Sequence, residues 1–192
     1  MSNNLNNNEK GRLRKLALSG RDALSAAERG ASSAAIARRL LSLKELEHAG
    51  LIMCYRAFRS EVDTTQLVEN LCRMGKTLCF PRCEKGGIMH AYSPNDESAW
   101  KKSSFGIMEP DTDNSSFVDP AGIDIVICPL VAFDDKKRRI GYGGGYYDRY
   151  LPLCKKALRV GIAFQAQKLE CVPTDGHDLD MDIIITEQRL YL

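Results

Sequence analysis

No stretch of this chain approaches the roughly 18 consecutive apolar residues that a membrane-spanning helix needs, and its first residues show no secretory signal pattern. A cytoplasmic location with reduced thiols is expected, without a membrane partner. Strong net charge is missing too: 27 Lys and Arg against 25 Asp and Glu leave +2. No long-range field therefore draws the molecule to nucleic acid, and any basic site must be local. The Walker A pattern G-x-x-x-x-G-K-[ST] does not occur, and Tyr146 occupies the place where a dinucleotide fingerprint needs its last glycine. Cys79, Cys83 and His90 lack a fourth ligand at zinc-finger spacing. The seven cysteines are odd in number, and Cys54 and Cys128 fall inside apolar runs that read as buried strands. Repeats are absent, and low complexity is confined to the asparagine-rich residues 1–8, which read as a disordered tail.

What is present describes one ordinary domain over residues 9–192. Of the 192 residues, 44% are hydrophobic and 27% charged, enough for a core that stands alone. The most informative run is Gly141-Tyr142-Gly143-Gly144-Gly145-Tyr146-Tyr147-Asp148-Arg149-Tyr150. Four glycines in five positions disfavour helix and strand, but they let an incoming group approach backbone N–H donors closely. The following Tyr-Tyr-Asp-Arg-Tyr-Leu reads as the first turns of a helix. A glycine-rich turn entering a helix is an anion cradle, and Lys136, Lys137, Arg138 and Arg139 stand just upstream. Asp148 beside such a cradle would repel phosphate unless a divalent cation lay between them. The plain alternative is a glycine-rich surface turn.

Along the chain, residues 10–24 fit a helix with Leu13, Leu16, Ala17 and Leu24 as its buried stripe. Its basic start (Lys10, Arg12, Arg14, Lys15) has the wrong sign for the helix dipole. Ser25 and Glu28 form a capping box for a second helix towards His48, buried along Ile36, Leu40, Leu43 and Leu46. Residues 51–55 read as a strand. A helix follows, capped by Asp63 with Gln66 and stopped by Gly75. Residues 77–80 make a strand ended by Pro81, and residues 88–92 a weaker one. Residues 93–122 read as a long surface loop carrying the single tryptophan, Trp100. Residues 123–128 are the strongest strand, with further strands at 159–164 and 181–185. Alternating strands and helices predict an α/β layered domain, Rossmann-like, with a largely parallel central sheet flanked by helices. Ligands are then expected at the strand carboxyl ends, where the glycine run follows the strongest strand.

The glycine run and its preceding Cys-Pro-Leu-Val-Ala-Phe-Asp resemble the 5-formyltetrahydrofolate cyclo-ligase family, also called methenyltetrahydrofolate synthetases. Lys10-x-x-x-Arg14, Tyr55 through Glu61-Val62-Asp63-Thr64, Gly106-Ile107-Met108-Glu109-Pro110, Gly161 through Gln167 and His177-Asp178 resemble further family segments in the same order. The resemblance implies a magnesium-dependent reaction. In it, 5-formyltetrahydrofolate and ATP give 5,10-methenyltetrahydrofolate, ADP and phosphate through a phosphorylated formyl group. It places ATP on Lys10, Arg14, Arg139, Gly141, Tyr142, Gly143, Gly144, Gly145, Tyr146 and Tyr147. Arg139, Tyr146 and Asp148 become the catalytic group. The folate would meet Arg56, Phe58, Glu61, Tyr142, Gly143, Gly144, Gly145 and Tyr146. Mg2+ would lie on Asp148 and Asp178, with Asp182 the rival second ligand.

Glu61 suits a pterin because a carboxylate accepts from paired N–H donors of an aminopyrimidine; a helix-start carboxylate is its structural alternative. Arg56 departs from the family pattern, with the folate's glutamate tail as its candidate partner. Gly144 replaces a lysine found in some members, so a missing cation would come from Lys136, Lys137 or Arg138. Small-molecule substrates are expected as partners of a monomer, a dimer being the alternative. The rival readings are an RNA-binding module, which lacks an extended basic track, and a sugar-phosphate isomerase or acyl-CoA transferase, for which no catalytic base is in place.

Overall fold

The computed structural model describes residues 2–103, 106–176 and 178–192, the first four of them as backbone only. Five helices are α1 (Ser2–Asp22), α2 (Ala26–Leu41), α3 (Glu45–His48), α4 (Thr65–Arg73) and α5 (Tyr146–Tyr150). The strands of the first half are β1 (Leu51–Met53), β2 (Thr77–Cys83), β3 (Met89–Pro94), β4 (Trp100–Lys102), β5 (Met108–Pro110) and β6 (Ser115–Val118). Those of the second half are β7 (Ile125–Pro129), β8 (Ala132–Phe133), β9 (Arg139–Ile140), β10 (Leu158–Ile162), β11 (Ile183–Ile185) and β12 (Leu190–Tyr191).

Eight strands join in the order β12-β11-β10-β7-β1-β2-β3-β6. Strands β11, β10, β7, β1 and β2 run parallel, while β12, β3 and β6 are antiparallel additions at the edges. The layered, largely parallel fold expected from the alternating pattern is therefore present. Its strands read as near-continuous apolar runs because both faces are covered. Ile125 and Ile127 point into one cluster with Ile36, Leu40, Leu67 and Leu71 of α2 and α4. Val126 and Cys128 point the other way, into a cluster with Tyr150 and Leu151. Each such buried aliphatic side chain contributes roughly 1.5–3 kcal/mol relative to exposure. A third cluster seats Leu13 and Ala17 of α1 on Val131, Ala132 and Ile140 of the β8–β9 hairpin.

Several local expectations are corrected. Helix α1 begins at Ser2, and the Asn6 side-chain amide donates to Thr174 O and to Asp175. Lys10 to Lys15 are thus mid-helix rather than at a helix start. Leu16, expected in the buried stripe, is 57% exposed, because α1 turns Leu13 and Ala17 inward instead. The Ser25–Glu28 capping box is present, but the helix it opens stops at Leu41 and a separate turn, α3, carries Leu46 into the core. Asp63 accepts from Thr65 N–H and Oγ rather than pairing with Gln66. Pro81 does not end β2, which continues to Cys83. Pairing with β1 has already stopped at Cys79, so the N–H that proline lacks has no ladder partner to lose on that side.

The expected long loop over residues 93–122 contains β4, β5 and β6. Their three or four residues are too few to show a period; β4 and β5 pair with each other, and β6 pairs back with β3. Trp100 packs its ring edge-on to Phe80, with centroids 4.9 Å apart.

The β8–β9 turn hangs on Asp134, which is 1% exposed. Its carboxylate accepts from the N–H groups of Lys136, Arg138 and Val172, and holds the Arg138 guanidinium at 2.5 Å. Replacing it with alanine strands a cation and three amides. We expect Asp134→Ala to lower stability by about 3–5 kcal/mol, read as a fall in the urea midpoint.

Candidate functional site

Sequence order runs outward in both directions from the middle of the sheet: β1 leads to β2 on one side, and β7 leads to β10 and β11 on the other. The β1–β7 boundary is therefore a topological switch point, where connections leave the carboxyl ends to opposite sides and open a crevice. Two segments leave those ends. Residues 54–64 follow β1 and carry Arg56, Phe58 and Glu61; residues 130–150 follow β7 and carry the β8–β9 hairpin, the glycine run and α5.

Helix α1 lies across both. Lys10, Arg14, Ala17 and Arg21 recur at helical spacing on one face. Lys10 Nζ sits 2.7 Å from Asp175 and 2.5 Å from Asp178. Arg14 Nε donates to Gly141 O at 2.7 Å. Arg21 Nη1 donates to the Tyr142 hydroxyl at 3.1 Å, and Asp22 accepts from Ser60 of the β1 segment. One helix thus ties the glycine run, the β1 segment and the acidic 175–178 turn together. The burial of Lys10 opposes its charge, but its two aspartates outweigh that and raise its pKa.

The glycine run is shaped for close approach. Gly145 caps α5 with φ 66°, a left-handed conformation that costs a residue with a Cβ roughly 1–2 kcal/mol. At Gly144 a Cβ would lie 2.8 Å from the ring of Tyr146, so the tyrosine folds back only over a bare backbone. Among the described residues the N–H groups of Gly143, Gly144 and Gly145 make no hydrogen bond, as a site that binds an anion requires. Arg149 fastens the outer edge. Its Nε donates to Gly87 O at 2.9 Å and its Nη2 to Gly144 O, while Tyr146 Oη donates to Glu84 O at 3.2 Å. The tip of the β2–β3 hairpin therefore grips the run from the side opposite α1.

Arg139, expected to face phosphate, is 7% exposed and holds Asp148 at 2.6 Å. Asp148 and Asp178 thus each carry a cation already, and among the described residues no group of three or more acidic, His or Cys side chains is poised for a metal. Asp182, the rival ligand, is engaged by Arg159 through its side chain at 2.6 Å and its N–H at 2.8 Å. Tyr147 turns its hydroxyl inward, buried and without a hydrogen bond among the described residues. Arg138, a candidate for the missing cation, is committed to Asp134. His177 lies outside the described residues.

Glu61 is 9% exposed and accepts from Phe58 N–H at 2.8 Å. Burial pushes its carboxyl above the ordinary glutamate range, against the Phe58 amide, the Tyr142 hydroxyl and the charge of Arg21, which draw it down. Tyr142 links the two segments, lying beside Glu61 while its oxygen takes Arg21. Phe58 is half-buried beneath Arg59, whose guanidinium carbon is 4.8 Å from the ring centroid. Arg56 is exposed and stacks on Trp100 at 3.7 Å. Two contributors escaped the sequence reading. Arg149 carried no local signal, but Arg21 continues the Lys10–Arg14 spacing and was legible in it.

The model of the 5-formyltetrahydrofolate cyclo-ligase family matches residues 6–187. The 5-formyltetrahydrofolate cyclo-ligase of Haemophilus influenzae is 30% identical, over 84% of this chain and 89% of its own. A solved 5,10-methenyltetrahydrofolate synthetase of Aquifex aeolicus superposes with a TM-score of 0.83 at 34% identity, over 94% of this chain and 91% of its own. That of Mycoplasma pneumoniae gives 0.77 at 26% identity, over 93% and 98%.

The strained cap supplies a test that needs no ligand. In Gly145→Ala the new Cβ would lie 2.6 Å from Arg149 Nη1 and would take a left-handed φ. A loss of about 1–2 kcal/mol is expected in thermal or urea unfolding, whereas alanine at the open, mid-helix Gly11 should raise stability by roughly 0.5–1 kcal/mol.

Proposed function

The chain belongs to the 5-formyltetrahydrofolate cyclo-ligase family, a family of ligases in one-carbon metabolism, and from that premise we propose that it closes 5-formyltetrahydrofolate to 5,10-methenyltetrahydrofolate at the expense of ATP. The observation that carries the assignment to these residues is the meeting of the two segments at the β1–β7 boundary. An open glycine backbone and a buried carboxylate share one tyrosine there, Tyr142. The first suits a polyphosphate, the second an aminopyrimidine ring.

The chemistry sets the demands. An amide-like N-formyl group is a poor electrophile, and its oxygen a poor leaving group. The formyl oxygen attacks the γ-phosphorus, ADP departs, and the oxygen becomes part of a phosphate ester. The N10 lone pair then adds to the formyl carbon, N10 loses its proton, and the C–O bond breaks to release phosphate. Such transfers require positioning and charge neutralisation more than covalent help. The glycine N–H groups would hold the phosphates, with Arg14 and Lys10 above them on α1 and Arg139 below. Tyr146 and Tyr142 would border the transfer point, and Glu61 would orient the pterin by accepting two N–H donors. Phe58, Arg56 and Trp100 would line the way out for the aminobenzoyl and glutamate parts.

Magnesium usually takes one or two carboxylates together with substrate phosphates and water. Asp148 and Asp178 are the carboxylates that would hold it, Asp148 paired with Arg139 beside the glycine run and Asp178 with Lys10 on α1. The ion would supply charge neutralisation on the phosphate oxygens. On nucleotide binding, Lys10 and Arg139 would exchange carboxylate partners for phosphate.

Absorbance of the methenyl product should grow when the protein meets 5-formyltetrahydrofolate, ATP and magnesium; folded protein without turnover would remove the assignment. With 18O in the formyl group, the label should emerge in inorganic phosphate. Asp148→Ala should abolish turnover with the fold intact. Glu61→Gln should raise the folate KM far more than the ATP KM, and equal effects would make Glu61 structural.

A further inference from the structure

The deepest cation near the site belongs to a residue without a role in the reaction so far. Arg21 is 2% exposed and stands among the largest fully buried side chains. Burying a guanidinium is costly unless anions or acceptors meet it. Yet its Nε makes no hydrogen bond among the described residues. Its sequence neighbour Asp22 approaches only to 3.6 Å, is itself exposed, and accepts from Ser60. The close partner Arg21 does have is Tyr142 Oη, at 3.1 Å.

We propose that Arg21 is a positioning residue for the folate substrate, fixing the Tyr142 hydroxyl and, through it, the Glu61 carboxylate that would take the pterin. The proposal rests on the reading of Glu61 given above. A guanidinium can only donate, so the tyrosine oxygen accepts from Arg21 and its own proton is left for an acceptor beside it. Glu61 is that neighbour. Arg21 holds the hydroxyl and the Phe58 amide holds the carboxylate, so the two groups that lie side by side are each fixed from the outer end.

The groups that face Glu61 come from four places: Arg21 on α1, Tyr142 in the glycine run, Tyr147 on α5 and Tyr55 beyond β1. Three are neutral phenols, and Arg21 supplies the positive charge. Its charge lowers a carboxyl that burial has raised. Without it, Glu61 would hold its proton to higher pH and present the wrong partner to ring N–H donors. A carboxylate already oriented before the ligand arrives also loses less freedom on binding.

Equilibrium binding separates this role from simple packing. 5-Formyltetrahydrofolate is titrated without ATP, and ATP without folate, across the acid pH range. Arg21→Met should weaken folate binding roughly ten- to hundredfold, leave ATP binding unchanged, and move the acid loss of folate binding to higher pH. Arg21→Lys should return that acid loss towards its original pH. Tyr142→Phe should weaken folate binding too, and the Arg21→Met, Tyr142→Phe double variant should fall short of the summed single effects. Equal loss of both ligands, or an unmoved acid limb, would overturn the proposal. If Arg21→Met does not fold, Arg21→Lys and Tyr142→Phe decide: unchanged folate binding in both overturns it. Glu61→Gln distinguishes the two levels. Intact folate binding there removes the parent reading, whereas loss there with none in the Arg21 and Tyr142 variants removes only the role of Arg21.

Discussion

The arrangement depends on the cationic face of α1 lying across two segments that leave the sheet. Lys10, Arg14 and Arg21 are spaced so that each meets a different piece of chain: the acidic 175–178 turn, the carbonyl of Gly141 and the hydroxyl of Tyr142. Leu13 and Ala17 on the same side bury against the β8–β9 hairpin. The apolar contacts seat the helix, and the charges set its register over the site. A helix of this kind would hardly stand alone, since its acidic partners are more than 160 residues away in sequence.

Opposing supports hold the glycine run. On one side α1 takes Gly141 and Tyr142; on the other, Arg149 and Tyr146 attach it to the tip of the β2–β3 hairpin. The backbone is thereby fixed while its amides stay open, which is the condition for recognising an anion at low reorganisation cost. Asp134 locks the turn between β8 and β9, the strand that leads directly into the run.

The charges of the site are paired among themselves: Asp148 with Arg139, Asp178 with Lys10. Buried or half-buried ions of this sort add little net stability, because desolvation offsets most of the attraction. Their value lies in readiness. Under the proposed function, a polyphosphate with its metal would replace each partner by another of the same sign, so that ligand binding would exchange contacts without baring any charge.

Much was legible in the amino-acid order alone. The glycine run, the parallel strands, the Ser25–Glu28 cap and the family motifs are local patterns, and local patterns survive without knowledge of partners. Residues 93–122 were misread because strands of three or four residues carry no period of their own and exist by pairing. Asparagines are poor helix formers, and the contacts that the start of α1 makes with Thr174 and Asp175 lie far along the chain. Sequence likewise named Glu61, Arg139 and Asp148. Only the tertiary structure decided that Arg139 faces Asp148, that Arg21 reaches Tyr142, and that the β1 and β7 segments meet. Those facts depend on strand order and on burial, and neither is written in the spacing of residues along one segment.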